Sequence, residues 1–373
     1  MSDNNQSDIF YELYECWHER VKCKKYTKEA YDFERNIGKK LTQISKRIVD
    51  RSWAPDGYFE FPVYHPSRII SAPFYHDRIV EHWLTEKYVK PFAEPKLHPF
   101  NIACREKMGP PVAMSIIKNT IKEMYGKYGN DFYFLQCDIK GYFDNVCHER
   151  IAEIFSGMEE LGYVLFMNIV KEYEIKDCYA ANKYPNLKFG VPKGNLPSQW
   201  IGIMYLNELD WIFSKREDCE SYVRYMDDFI MFFHTKKSCK DCKIKIEKYL
   251  EEKMLGVRLH PKKTVYAPIS RGFTFCGWHY SLDDKGGIKT TLKQERKYVI
   301  KKRYRQMVED YYVGKLSDGD VQAKIAGTNA FIKMGDTKKF KRYIQNRFRF
   351  THEKEEFYKN RNTGGNEKDE SKK

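Results

Sequence analysis

Apolar residues at helical spacing mark the start of the chain. Phe10, Leu13, Cys16 and Trp17 recur on one face, as do Ile37, Leu41, Ile44 and Ile48, which predicts helices between about Ile9 and Asp50. Trp53-Ala-Pro-Asp-Gly57 interrupts the pattern as a turn. Tyr58 to Tyr64 alternates as a strand does, and a second short apolar strand follows at Ser67 to Pro73. Asp77-Arg78-Ile79-Val80 enters a helix carrying His82, Trp83 and Tyr88. Asn101 to Gly109 is a basic loop before a helix from about Pro111 to Tyr125. Phe132 to Asp138 is an apolar strand that ends in a carboxylate, and helices follow from about His148 to Glu172. Phe189 to Gln199 is a loop punctuated by Gly and Pro, opening a helix with Trp200, Ile203, Met204, Leu206, Leu209 and Trp211 on its apolar side. Val223 and the run Phe229 to Phe233 have strand propensity on either side of Met226-Asp227-Asp228, which predicts a short hairpin with two carboxylates at its turn. Beyond Gly286 the pattern is helical and basic.

Charge narrows the partners. The chain's 373 residues suffice for two or three packed subdomains, and 66 Lys and Arg against 52 Asp and Glu give a net +14. That balance favours a polyanion, either nucleic acid or an anionic membrane surface. No run of about 18 apolar residues exists, so no membrane-spanning helix is expected. Residues 285–350 hold 18 Lys or Arg against 6 Asp or Glu, with Tyr298, Tyr304, Tyr311 and Tyr312 interleaved. This suits a surface that grips a duplex by its backbone, with salt-dependent affinity; the plain alternative is a solvated helix face. The Lys22 to Lys25 cluster is read as a solvated face rather than a phosphate contact. Met1 to Asp8 is polar and unlike a signal peptide, and is expected to be a disordered tail, as is Glu353 to Lys373. Ten scattered cysteines, many within apolar runs such as those of Cys137 and Cys276, fit reduced core thiols and a cytoplasmic setting. Cys239-Lys-Asp-Cys242 lacks a well-spaced second ligand pair, with only Cys219 and His234 as candidate partners, so zinc is not expected there.

The carboxylates carry the candidate chemistry. Burying Asp227 beside Asp228 is costly without a counter-charge, and Mg²⁺ is the usual hard, oxygen-seeking remedy. An Asp-Asp pair alone is more often a solvated turn. A strand that delivers Asp138 beside that turn would change this, because three carboxylates on two neighbouring strands suit a two-metal site for phosphoryl transfer. Arg68 and Arg78 flank the Ile69-Ile70 strand and suit forked phosphate contacts; taken alone, they would read as surface ion pairs. Gly194 allows close approach of a ligand to the backbone, and the helix start after it offers N–H groups to phosphate.

Four pieces stand in an order and spacing that resembles a reverse transcriptase palm: Asp138-Ile-Lys-Gly-Tyr-Phe143-Asp144, Gly194-Asn-Leu-Pro-Ser-Gln199, Tyr225-Met-Asp-Asp228, and Phe275-Cys-Gly277-Trp278. Leu259 to Thr264, with Lys262, is similar to the palm motif that follows. The resemblance spans roughly residues 30 to 350. It implies a right-hand α+β polymerase with fingers, a palm built on an antiparallel sheet, and a short helical thumb. The implied boundaries are 1–28 for an N-terminal extension, 29–130 for fingers with the start of the palm, 131–284 for the palm, 285–352 for the thumb and 353–373 for the tail. It implies RNA-directed DNA synthesis with two Mg²⁺ ions held by Asp138, Asp227, Asp228 and the Ile139 carbonyl. Arg68, Arg78, Phe143, Lys193, Gly194 and Gln199 would meet the incoming deoxynucleoside triphosphate, with Phe143 as a gate against the ribose 2′-hydroxyl. Tyr225, Lys262, Phe275, Gly277 and Trp278 would meet primer and template.

The Ser198-Gln199 ending, Ile-Ser-Ala-Pro-Phe74, Ala-Cys-Arg105 and Tyr-Leu-Asn-Glu-Leu-Asp210 resemble the enzymes of diversity-generating retroelements. Lys193 departs from their aliphatic loop residue, which is linked to errors opposite template adenine. Anti-phage defence reverse transcriptases share much of the same text. No ribonuclease H, integrase or endonuclease segment is recognisable after the thumb. The implied partners are a structured template RNA, its hybrid with DNA and a small basic accessory protein, with no membrane. A vestigial RNA-binding scaffold and an RNA-dependent RNA polymerase are the rival readings; the intact carboxylates and Phe143 argue against them.

Overall fold

The computed structural model describes residues 2–21, 27–64, 67–351 and 353. The Lys22 to Lys25 cluster and residues 354–373 lie outside the described residues. The described residues form two compact units, one within 1–112 and 133–266 and the other within 113–132 and 267–373. No described helix is long and apolar enough to cross a membrane.

The first unit opens with a correction. The polar stretch Met1 to Asp8, expected to be disordered, is helical from Ser2, in a helix that runs on to Cys16 through the part predicted from Ile9. Ile9 and Leu13 on this helix are buried, and burying such side chains contributes about 1.5–3 kcal/mol each. Two well-placed aliphatics therefore outweigh the polar composition around them. Helices Lys28–Glu34 and Ile37–Val49 follow, then the antiparallel hairpin of β1 (Tyr58–Tyr64) and β2 (Ser67–Pro73), whose register pairs Tyr58 with Pro73. The helix Tyr75–Leu84 leaves the hairpin base with Ile79, Val80, Trp83 and Leu84 buried.

Antiparallel strands in the order β4-β5-β3 are the centre of this unit, with β3 at Tyr133–Asp138, β4 at Ser221–Tyr225 and β5 at Asp228–Phe233; β6 is Val265–Pro268. Phe229 to Phe233 are all buried. A strand covered on both faces carries a continuous apolar run instead of an alternating one, which is why this stretch showed no period of two. The helices His148–Phe155, Glu160–Lys171, Leu196–Tyr205, Asn207–Ser214 and Lys236–Lys253 complete the packing. Gly162 is obligatory at one contact, because a Cβ there would sit 2.5 Å from Tyr88 Cγ.

The second unit holds a three-stranded antiparallel sheet, β7 (Phe273–Phe275), β8 (Trp278–Leu282) and β9 (Ile288–Leu292), and the helices Gln294–Tyr312, Asp318–Ile332 and Lys338–Arg347. Trp278 packs on Phe331 with ring centroids 5.2 Å apart, and the Thr290 N–H donates to Asp336 at 2.8 Å. These contacts bind residues 273–292 to the helices that follow them. A reciprocal Ser317–Asp320 capping box starts the second helix.

Candidate active site

The apolar run Phe134, Leu135 and Cys137 seats β3 in the core and brings Asp138 to the strand end. The β3–β5 register sets Asp138 opposite Asp228, and the β4–β5 register sets Tyr225 opposite the same residue. The Ile139 N–H donates to the Asp227 carbonyl at 3.2 Å, and the His260 N–H donates to the Asp138 carbonyl at 2.7 Å. Backbone bonds thus gather Asp138, Asp227 and Asp228 at one edge of the sheet. Lys263 Nζ lies 3.1 Å from Asp138, and the Gln136 amide donates to Asp228 at 3.1 Å. Burial pushes the Asp228 carboxyl up to about 7, with the charges of Asp138 and Asp227 adding to the effect. Asp227 is raised too, chiefly by burial and then by Asp138. Like charges beside one another in a poorly hydrated place disfavour ionisation, so the trio fits a site built to receive positive charge.

The hairpin turn is held from beneath. Met226 takes a left-handed conformation, with φ of 59°, which costs a non-glycine residue energy unless its surroundings fix it. The Arg224 guanidinium, fully buried, donates to the Met226 carbonyl at 2.7 Å and to the Ile203 carbonyl at 2.7 Å. It also makes a forked contact with Asp210, both bonds at 2.6 Å. Tyr222 donates to the same Asp210 carboxylate. Arg224 and Asp210 are not singled out by sequence reasoning. Their signal was a cation in an apolar strand and a carboxylate in an apolar helix, each needing a partner.

Around the carboxylates, Phe143 is half-buried, and a Cβ on Gly202 would lie 3.1 Å from its ring and 3.5 Å from Met226 Sδ. Lys193 forms an ion pair with Asp144, the neighbour of Phe143, at 2.5 Å. The Val191 N–H donates to the Phe143 carbonyl at 3.0 Å, and the Ser71 N–H donates to the Lys193 carbonyl at 3.1 Å. Gly194 has a positive φ of 157°, and a Cβ there would meet Ile70 and the Ser71 carbonyl at 2.8 Å. The loop is therefore clipped between β2 and the Phe143 segment. Asn195 caps the helix Leu196–Tyr205 by accepting from the Ser198 N–H at 3.0 Å, and its amide donates to the buried Glu81 at 3.1 Å. Burial pushes Glu81 up to about 8. Gln199 is exposed in the first turn of that helix. Arg78 Nε donates to the Pro73 carbonyl at 2.8 Å, and Arg68 is exposed on β2.

The remaining expected residues are Lys262, Phe275, Gly277 and Trp278. Of the two adjacent lysines, Lys263 meets Asp138, while Lys262 is exposed and bonds His260 through its backbone N–H. In the second unit Phe275 and Trp278 are buried and paired across β7 and β8, so their side chains face that unit's own core. The turn between them, Cys276 and Gly277, has positive φ at both residues and is half-buried. Among the described residues, one group of three His, Cys, Asp or Glu side chains has donor atoms mutually within 4.8 Å: Asp56, His76 and Asp77. Cys239 and Cys242 belong to no such group; both are buried, with thiols pushed up to about 12 by burial. Asp138, Asp227 and Asp228 are spread wider than that distance, with Asp138 drawn to Lys263 and Asp228 to Gln136.

The chain has a distant similarity to solved telomerase structures. Apo telomerase from Candida tropicalis, truncated from its C-terminal domain, matches at 18% identity over 60% of this chain and 52% of that one, with a TM-score of 0.40. Telomerase from Candida albicans in complex with a fragment of telomeric RNA matches at 12% identity over 85% of this chain and 60% of that one, with a TM-score of 0.45. The chain spans about half to three-fifths of the length of these structures. No curated protein matches it. Residues 66–280, more than half of the chain, match the family described as reverse transcriptase (RNA-dependent DNA polymerase). They contain the Asp138 strand end, the Lys193 loop and the Asp227–Asp228 turn, and by this match the chain belongs to the reverse transcriptase family.

Proposed function

We propose that the chain copies a structured template RNA into cDNA, using Asp138, Asp227 and Asp228 as its metal carboxylates. The observation that carries this is the register of β3 on β5, with Asp138 opposite Asp228 and the Ile139 N–H on the Asp227 carbonyl. Two Mg²⁺ ions, held by these carboxylates and the Ile139 carbonyl, would acidify a primer 3′-hydroxyl and neutralise the triphosphate. Phe143, backed by Gly202, would stand against a ribose 2′-hydroxyl and favour deoxynucleotides. Gly194, whose missing side chain lets the loop close on β2, would hold the loop beside the triphosphate, with Arg68 and Arg78 on its phosphates. Tyr225 would lie by the primer terminus, and the Gly277 turn of the second unit would meet the primer strand. The basic surface of residues 285–350 would bind the hybrid's backbone. A small basic accessory protein is the proposed partner.

For the biological setting, a diversity-generating retroelement is the first reading, supported by Ser198-Gln199 and the retroelement-like phrases around them. Lys193 favours a second reading, anti-phage defence. Its ammonium, paired with Asp144, puts a charge where retroelement enzymes carry an aliphatic side chain. One experiment tests both. The protein is purified with the RNA it carries, given Mg²⁺ and four deoxynucleotides, and RNA and product are sequenced, with Asp227→Asn as the blank. A cDNA of one RNA with errors at template adenines supports the retroelement. An accurate, repetitive or untemplated product supports defence. No product above the blank contradicts the polymerase reading.

A further inference from the structure

The base of the β1–β2 hairpin carries a group that DNA synthesis does not use. Asp56 lies just before β1, and His76 and Asp77 lie just after β2, at the start of the helix Tyr75–Leu84. His76 Nε2 is 2.8 Å from Asp56 Oδ2 and 3.6 Å from Asp77 Oδ1. In a tetrahedral site with bonds of about 2.0–2.1 Å, neighbouring ligand atoms stand about 3.3–3.4 Å apart. The two measured separations bracket that value.

Asp77 supplies the independent sign of a missing ligand. It is 0% exposed, and its Oδ1 has no hydrogen-bond partner, while its Oδ2 accepts from the Asp56 N–H at 2.9 Å. A buried carboxylate oxygen without a partner is costly, and burial pushes this carboxyl up to about 6. Arg47 orients the second ligand. It donates to Asp56 Oδ1 at 3.1 Å and to the Ala54 carbonyl at 2.9 Å, which leaves Oδ2 turned toward His76. Outer partners orient metal ligands in this way. The His76 and Asp56 side chains are 30% and 47% exposed, so a fourth position is open to water.

We propose that Asp56, His76 and Asp77 bind one ion of Zn²⁺ chemistry, which fastens together the two ends of the β1–β2 hairpin. One imidazole nitrogen with two carboxylates suits Zn²⁺ and its first-row neighbours, whereas Mg²⁺ favours an octahedral set of oxygens. The ion would fix the start of the strand that precedes Arg68 and the helix that carries Arg78. The site shares no residue with the polymerase carboxylates, so it stands or falls separately from them.

The test uses the full chain with Asp138→Asn and Asp227→Asn, which removes two of the three polymerase carboxylates; whatever metal the remaining one holds is common to parent and variants. It is equilibrated with Zn²⁺ under reducing conditions, freed of loose metal and assayed for zinc per chain and for melting temperature. His76→Phe and Asp56→Asn are made in the same background. Both positions have partly exposed side chains, so at least one variant should fold. The expected result is one more equivalent of zinc on the parent than on either variant, and a Zn²⁺-dependent rise in melting temperature in the parent alone. Zinc held by cysteines is common to all three and cancels. Equal zinc and equal melting in parent and variants would overturn the proposal.

Discussion

Arg224→Met is the most informative single change beneath the candidate active site. The substitution roughly keeps the volume of the side chain's stem and removes four hydrogen bonds: two to Asp210, one to the Ile203 carbonyl and one to the Met226 carbonyl. Asp210 is 0% exposed and would be left with Tyr222 alone. Removing one partner of a buried ion pair costs about 3–5 kcal/mol. Each stranded carbonyl adds up to about 1–3 kcal/mol unless water reaches it. Against a total stability of about 5–15 kcal/mol, the variant should remain foldable but weak. With a denaturant dependence of about 1–3 kcal/mol per molar, the loss of the ion pair alone should lower its urea midpoint by about 1–5 M. Arg224→Met with Asp210→Leu removes both charges and should recover at least about 2 kcal/mol of the loss. At a temperature where Arg224→Met is still folded, primer extension should drop by more than tenfold, because the left-handed Met226 loses the bond that holds its carbonyl. A variant within about 1 kcal/mol of wild type and with unchanged extension would refute the idea that this guanidinium supports the turn.

Three further changes have defined outcomes. Glu81 sits at about 8 when folded against 4.5 in its ordinary state, so between those pH values the folded chain holds a proton that the unfolded chain releases. Stability should therefore fall as pH rises from about 4.5 to 8, by up to about 1.4 kcal/mol per unit from this group, and Glu81→Gln should flatten that slope in urea curves taken at several pH values. Gly162→Ala forces a methyl against the Tyr88 ring and should cost about 1–3 kcal/mol, read as a fall in melting temperature. Lys302 and Arg305 are exposed on the basic helix Gln294–Tyr312; replacing both with Ala should lower the slope of log affinity against log salt for an RNA–DNA hybrid by about 2, measured by fluorescence anisotropy.

The sequence made the strand ends and their carboxylates legible because short apolar runs stop abruptly at Asp138 and at the Asp227–Asp228 turn. It made the Lys193 loop legible because Gly and Pro punctuate it. What it hid was pairing over distance. Arg224 and Asp210 are fourteen residues apart, on a strand and a helix whose packing no local pattern reveals. Lys262 and Lys263 are equivalent by composition, and only the fold of residues 258–264 against Asp138 separates them. Of the helix Ser2–Cys16, the part from Ile9 was legible in its apolar spacing, whereas the turns before Ile9 were hidden because they are polar and carry no apolar period. The division into two units was hidden because the Trp278–Phe331 contact that ties β8 to the later helices spans more than fifty residues.

The central claim is RNA-templated DNA synthesis at Asp138, Asp227 and Asp228. Its most direct measurement is extension of a labelled DNA primer on a defined RNA template with Mg²⁺, offering deoxynucleotides or ribonucleotides in parallel, with Asp227→Asn as the blank. The account expects full-length DNA from the wild-type protein with deoxynucleotides, little with ribonucleotides, and none from Asp227→Asn. Equal product from wild type and Asp227→Asn, or a preference for ribonucleotides, would contradict it.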